Sequence, residues 1–270
     1  MRLGLSTYTY TWAVGVPGQL PLNPLSAYGL IDKARSLKIE CVQIADNLPL
    51  HQFSNEELLR LSEYAISSHI GVEIGTRGLT EENVKTYITI ARKFFSPILR
   101  IVIDAPGHAP SLEEALAVLK KMIPLLKENK IKLAIENHDR FKAAEFAYLV
   151  ENSDPAWVGI CLDSVNSMGA GEGIAEVVKT LAPYTINLHI KDFCIRRVSH
   201  KMGFVIEGTP AGKGMLDIPA IVSRMNENTS CQSAILELWT PPEGAIDQTI
   251  LKESLWAKDS IDYLKTVIKK

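Results

Sequence analysis

The chain has 270 residues, 46% of them hydrophobic and 22% charged, with a formal net charge of −2 and a pI near 6.3. That balance supports a core of ordinary size and excludes the basic footprint of a nucleic-acid binder or of a protein held on an acidic membrane. Its four cysteines, Cys41, Cys161, Cys194 and Cys231, form no Cys-x-x-Cys pair, which argues against a zinc ribbon and for reduced thiols in a cytoplasmic protein.

No apolar run approaches the roughly 18 residues of a membrane span. The opening MRLGLSTYTYTW carries no apolar core of a secretory signal. Short β-rich runs recur at about 2–9, 40–45, 70–75, 98–103, 131–136, 157–162, 184–190 and 232–239. The segments between them have helical spacing and start signals. SNEELLRLSEYAISSH pairs Ser54 with Glu57 as a capping box, TEENVKTYITIARKFF repeats the device more weakly with Thr80 and Asn83, and SLEEALAVLKKMIPLLKEN places Ser111 and Glu114. The final DQTILKESLWAKDSIDYLKTVIKK predicts a long helix ending in lysines, which suits its dipole.

Strands such as LRIVID, KLAIE and VGICLD are nearly continuous apolar runs, as expected for a parallel sheet covered on both faces. Eight strand–helix units without a long linker predict one α/β domain over residues 1–270, a (β/α)8 TIM barrel. No Gly-x-Gly-x-x-Gly follows the first strand, so a dinucleotide fold is disfavoured.

In such barrels chemistry gathers at the C-terminal ends of the strands. LAIENHDR supplies Glu136, Asn137 and His138 there; ICLDSVNS supplies Asp163 and Asn166. INLHIKDFCIRR supplies His189, then Lys191, Asp192, Arg196 and Arg197, and ILELWTPPE supplies Glu237 and Trp239. One such glutamate is usually solvated, and one strand histidine is usually core. Three carboxylates converging on one barrel mouth would repel unless a cation neutralised them. A Glu/Asp/His/Glu set offers oxygen and nitrogen ligands suited to Mn²⁺, Mg²⁺ or Co²⁺ rather than a thiolate zinc site.

The segments AIENH, CLDSVN, HIKDF and ILELW resemble the four ligand strands of the sugar phosphate isomerase/epimerase superfamily, the xylose-isomerase-like TIM barrels. The resemblance covers essentially the whole chain, and GTPAGKGMLDIPAIV resembles the segment leading into that family's seventh helix. It implies one divalent metal held by Glu136, Asp163, His189 and Glu237, with Mn²⁺ or Mg²⁺ expected and Co²⁺ or Zn²⁺ as further candidates. In the ketose 3-epimerase branch it also implies that Glu136 and Glu237 are the catalytic acid/base pair. A metal chelated by a substrate carbonyl and its neighbouring hydroxyl stabilises an enediolate formed by loss of a proton or of CO₂. Isomerase or epimerase is therefore the leading expectation. A lyase that decarboxylates a 3-oxo sugar acid, or a dehydratase, is the alternative. An apurinic-site endonuclease-like enzyme and a non-catalytic sugar-binding barrel are remote.

Two positions depart from the epimerase pattern. Asn166 stands where those enzymes carry a histidine, and Ile195 stands where they carry an arginine, with Arg196 and Arg197 following. The apurinic-site endonucleases need the same histidine and an Asp-x-His pair that VSHKMGFVIEG lacks. The departures, with Lys191, Arg196, Arg197 and Lys213 after strand 7, favour an acidic substrate. Expected substrate contacts are Asn166, Arg196, Lys191, Arg77, Trp12 and Trp239. Tyr8, Tyr10 and Phe193 could add to an apolar wall, Arg140 is a further basic candidate, and His51 and His108 are weaker ones. Glu73 reads as inward-facing without a role. Expected partners are a small sugar or sugar acid and a second copy of the chain, with no nucleic acid and no membrane.

Overall fold

Apolar strands alternating with capped helices bury both faces of their sheet when the sheet closes and the helices ring it. The protein, described over residues 1–227 and 230–268 by a computed structural model, folds in this way. In chain order the strands are β1 (Arg2–Ser6), β2 (Cys41–Ile44), β3 (Gly71–Arg77), β4 (Ile98–Val102), β5 (Lys132–Glu136), β6 (Val158–Asp163), β7 (Thr185–Ile190), β8 (Phe193–Arg197), β9 (Phe204–Gly208) and β10 (Ser233–Leu236). Eight of them form a closed barrel in the order β1-β10-β7-β6-β5-β4-β3-β2, while β8 and β9 make a separate antiparallel hairpin.

All eight barrel strands fall where the sequence places them. The first is shorter than the expected 2–9, because Ser6 accepts from the Tyr8 amide and caps a 3-10 turn over Thr7–Tyr10. The hairpin occupies a stretch that reads in the sequence as a charged loop. Its register pairs Ile195 with Ile206 and Arg197 with Phe204, and Gly203, at φ 136°, supplies a backbone angle at the turn that side chains disfavour.

The helices are α1 (Thr11–Val14), α2 (Ala27–Ser36), α3 (Asn55–Ser67), α4 (Glu81–Lys93), α5 (Leu112–Asn129), α6 (Ala143–Glu151), α7 (Ile174–Leu181), α8 (Ile218–Glu227) and α9 (Ile246–Val267). Ser54 and Ser111 close full capping boxes with Glu57 and Glu114, and Thr80 accepts from the Asn83 amide. Each such cap is worth about 1 kcal/mol. The predicted last helix runs through Val267; Lys269 and Lys270 lie outside the described residues. Its buried stripe includes Ala257, Ile261 and Leu264, which join the large core between barrel and helices. In that core a truncation such as Leu126→Ala, at a fully buried position, would cost about 2–5 kcal/mol.

The barrel lumen is built differently. Side chains two apart along a strand share a face. Stepping back from the strand ends therefore sends Gln43, Glu73, Arg100, Cys161, Asn187 and Ser233 inward. Their mutual hydrogen bonds across the barrel agree: Gln43 reaches Asn187, and Asn187 reaches Glu73 and Ser233. TIM-barrel interiors are mostly branched apolar side chains. Here a small apolar cluster, Ile98, Ala134 and Ile186 with Cys161, packs beside these polar groups.

Candidate active site

The four strand ends singled out in the sequence meet at one place. Glu136 closes β5, Asp163 closes β6, His189 lies one residue inside the end of β7, and Glu237 follows β10 directly. All four are buried. His189 Nδ1 stands 3.4 Å from Glu136 Oε2 and 3.3 Å from Glu237 Oε1. Asp163, His189 and Glu237 each offer one ligand atom within 4.8 Å of the others, and Glu136, Cys161 and His189 form a second such group. Asp163 is fixed from behind, since its Oδ1 accepts from the Val165 and Asn166 amides at 2.8 Å each.

His189 is oriented by Gln43. Its Nε2 lies 2.8 Å from Gln43 Oε1, an oxygen that can only accept, so Nε2 carries the proton. Nδ1 of the neutral imidazole then turns a lone pair toward two carboxylates. Asp163 Oδ2, His189 Nδ1 and Glu237 Oε1 are buried without a well-formed hydrogen bond, although Lys191 Nζ stands 3.0 Å from Asp163 Oδ2. Buried acceptors aimed at one another without a donor between them are costly, and a divalent cation relieves that cost. The donor set of three carboxylates and one imidazole therefore fits a metal ion.

Two buried cations flank the ring. Lys191 Nζ lies 3.0 Å from both Asp163 Oδ2 and Glu237 Oε2, and 3.4 Å from Asn166 Oδ1. Burial opposes its charge, but Asp163, Glu237 and Glu136 outweigh burial and push its pKa up, so it is an ammonium at neutral pH. Burial likewise opposes ionisation of Glu237; the Lys191 and Arg100 cations win and hold it below the usual carboxylate range. Arg100, from the middle of β4, donates to Glu136 Oε2 through Nε and to Asp46 Oδ1 through Nη1 at 2.9 Å. Asp46 also accepts from Tyr8 at 3.0 Å and lies 3.5 Å from Arg77 Nε. Burial would raise Asp46, but Arg100 and Arg77 hold it below the usual carboxylate range.

A cavity of about 520 Å³ opens onto this arrangement, with Trp12, Arg77, His138, Asn166, Lys191 and Trp239 in its wall. Asn166 reaches the ring, because its Nδ2 donates to Glu136 Oε1 at 2.9 Å. Trp12 is fixed by its indole Nε1, which donates to Thr240 O at 2.8 Å. Of the expected substrate contacts, Asn166, Lys191, Arg77, Trp12 and Trp239 thus line one cavity.

Arg196 does not join them. It sits mid-strand in β8, its side chain 63% exposed, and pairs with Glu207 of β9. The strand's alternation turns it to the face opposite Ile195. Arg197 stacks on Phe204, Arg140 is held by Asp104, and Lys213 pairs with Asp259 at 2.6 Å. Tyr10 and Phe193 are core, His51 bonds the Tyr87 hydroxyl, and His108 bonds Leu79 O. Lys191 pairs with Asp163 and Glu237 rather than with Asp192, whose carboxylate instead accepts from the amides of Phe193, Gly212, Gly214 and Leu216. That explains the second glycine of AGKGML, since a Cβ at Gly214 would collide with Asp192; at Gly212, with φ 83°, it would meet the Tyr263 ring instead.

Sequence reasoning missed Arg100, Asp46 and Gln43. A lone arginine inside the apolar run ILRIVI, where both strand faces are covered, was the available signal for Arg100.

The family described as Xylose isomerase-like TIM barrel matches residues 31–267. A 3-oxo-isoapionate decarboxylase of Pectobacterium atrosepticum is 32% identical over 266 residues, covering 98% of this chain and 96% of that protein. D-psicose 3-epimerase from Clostridium cellulolyticum H10, solved with D-tagatose, superposes with a TM-score of 0.75 at 14% identity, covering 100% of both chains. The IOLI protein with a binding zinc atom superposes with a TM-score of 0.70 at 18% identity, again over 100% of both. These last two establish the shared fold. With a family match over nearly the full length and a decarboxylase relative covering almost all of it, the chain belongs to the xylose isomerase-like TIM barrels.

Proposed function

We propose that the protein is a metal-dependent cytoplasmic carboxy-lyase that decarboxylates a 3-oxo sugar acid. The observation that carries this reading is the proton inventory of the site. An epimerase needs two free bases on opposite faces of one carbon. Here Glu136 is already committed: Arg100 donates to one oxygen and Asn166 to the other, and the lone pairs that remain are those the metal would take. A decarboxylase instead needs an electron sink and a proton donor, and the Lys191 ammonium stands in the cavity wall, 3.0 Å from Asp163 and from Glu237. The 32% identity to a 3-oxo-isoapionate decarboxylase supports the same choice.

Glu136, Asp163, His189 and Glu237 would hold the metal, with Mn²⁺ or Mg²⁺ favoured by the three oxygen donors. When bound, it would supply the Lewis acidity that draws electrons toward the substrate carbonyl. The chain's own residues do the rest. Arg77 at the rim attracts the anionic substrate. Trp12 and Trp239 offer an apolar wall to the carboxylate, and such a wall favours its departure as neutral CO₂ over its retention as an anion. The C–C bond breaks, its electron pair passes to the carbonyl as an enolate, and Lys191 Nζ–H delivers a proton to the carbon. Lys191 then regains its proton from solvent.

The test is product analysis in D₂O with 3-oxo sugar acids and ketoses offered in parallel. One CO₂ and one carbon-bound deuterium per turnover of an acid support the proposal. Deuterium exchange into a ketose with its carbon count unchanged would replace it with epimerase chemistry, in which Glu136 and Glu237 flank the substrate.

A further inference from the structure

Beneath the strand-end ring lies a second layer that neither the resemblance nor the mechanism uses. Glu73 is buried inside β3, with Arg2 Nη2 at 3.4 Å on one oxygen. Its other oxygen, Oε2, accepts from Gln43 Nε2 at 3.3 Å and from Asn187 Nδ2 at 3.2 Å. Asn187 Nδ2 also donates to Ser233 Oγ at 2.7 Å, and Asn187 Oδ1 accepts from Gln43 Nε2 at 3.1 Å and from Cys161 Sγ at 2.9 Å.

Donor and acceptor counting fixes this layer from the bottom upward. A carboxylate below leaves only one orientation for the Gln43 amide, with the NH₂ toward Glu73 and Asn187 and the carbonyl toward His189. The carbonyl in turn requires a proton on His189 Nε2. Neutral imidazole has one ring proton, so Nδ1 presents its lone pair to Glu136 and Glu237. If the Gln43 amide were flipped, its NH₂ would face Nε2 and select the other tautomer, with a proton pointing into the carboxylates.

We propose that Glu73 and Gln43 are positioning residues that, through the Glu73–Gln43–His189 chain of hydrogen bonds, lock His189 in the tautomer that binds metal through Nδ1. The inference rests on the metal centre of the proposed function and is independent of the reaction. Outer-shell partners of this kind typically change metal affinity by about 10- to 100-fold.

The experiment compares Glu73→Met with Glu73→Gln. Methionine keeps the length and fills the space but accepts no hydrogen bond of note; glutamine can offer one carbonyl oxygen to the same two donors. ¹⁵N NMR of metal-free protein reads the His189 tautomer directly, and calorimetric titration with Mn²⁺ reads affinity. The wild type is expected to be the Nε2–H tautomer alone. Glu73→Met should show mixed tautomers and bind Mn²⁺ about 10- to 100-fold more weakly, while Glu73→Gln should stay near wild type on both readings. Equal behaviour of the two variants would overturn the proposal, since a space-filling role would not distinguish them. If Glu73→Met does not fold, Gln43→Met tests the same lock one link higher, and an unchanged single tautomer there would overturn it. A wild type that binds no Mn²⁺ would remove the metal centre, while the tautomer comparison would still decide the hydrogen-bond lock.

Discussion

Arg100 Nε donates to Glu136 Oε2 in the centre of the barrel, with 3% and 2% of the two side-chain surfaces exposed. The guanidinium also reaches Asp46, so one buried cation offsets two carboxylates. Its removal takes that cation from Glu136 and leaves Asp46 to Arg77 and the Tyr8 hydroxyl. Arg100→Met should therefore destabilise the fold by about 3–5 kcal/mol, the range for breaking a buried pair from one side. A urea titration with an unchanged slope reads this as a lower midpoint. A loss below about 1 kcal/mol would show that the pair is not what neutralises Glu136.

Lys191 competes with a metal for two of its ligands, because its ammonium lies 3.0 Å from Asp163 and from Glu237. It is also the acid of the proposed reaction. Lys191→Met should keep Mn²⁺ binding at least as tight as wild type while lowering kcat by about 10²-fold or more. Calorimetry and steady-state kinetics on the same preparation separate the two effects. Lost metal binding with intact kcat would reverse the assignment.

How much of this was legible before the fold was known depends on where each residue sits. Ser54 and Ser111 announce their helices because a cap is a local device. Glu136, Asp163, His189 and Glu237 stand at the ends of apolar runs, and a parallel barrel brings all strand ends to one rim, so their meeting follows from topology alone. Arg100 was hidden by the same logic: it lies in mid-strand, and nothing local says that its partners come from β5 and from the segment after β2. Arg196 was misplaced because the segment after β7 reads as a loop of charge, whereas Ile195, Phe204 and Ile206 alternate in a hairpin that turns Arg196 outward. Asp192 reads as a site residue by proximity, yet its carboxylate is taken up by the adjoining Phe193 amide and by the Gly212, Gly214 and Leu216 amides of the segment leading into α8.

That cluster of amides yields a structural prediction. Asp192→Ala removes the acceptor of the Phe193, Gly212, Gly214 and Leu216 amides together. Each buried amide left unpaired costs up to about 1–3 kcal/mol, and water will recover part of it in a loop. A net loss of about 3 kcal/mol is expected, with faster amide exchange at Phe193 and within residues 209–216. Exchange unchanged in that stretch would contradict the assigned role.

Glu253 of α9 gives the pH dependence. Its two oxygens accept from the Trp12 and Ala13 amides at 3.0 and 3.1 Å, tying the cavity wall to the last helix. Burial raises its pKa; those amides and Lys33 oppose, and the balance lies at about 7 against an ordinary 4.5. Because the folded pKa is the higher one, the folded state takes up the proton more readily. The stability this adds is complete below pH 4.5 and disappears as the pH rises to about 7. Glu253→Gln stays neutral but puts an NH₂ in place of one of the two acceptor oxygens, so the pH-dependent part is what it tests: its stability relative to wild type should improve by about 2 kcal/mol between pH 5 and pH 8. Thermal unfolding across that range checks the sign, and a difference that grows toward low pH would refute it.

The claim on which the rest depends is that Glu136, Asp163, His189 and Glu237 hold one divalent cation. Metal content is the direct measurement: the protein is stripped with chelator, re-equilibrated with Mn²⁺, freed of excess ion and analysed beside His189→Ala and Asp163→Ala. One Mn per wild-type chain, with a loss of most of it in either variant, is the expected result. A wild type that retains no metal, or variants that retain as much as it does, would contradict the account.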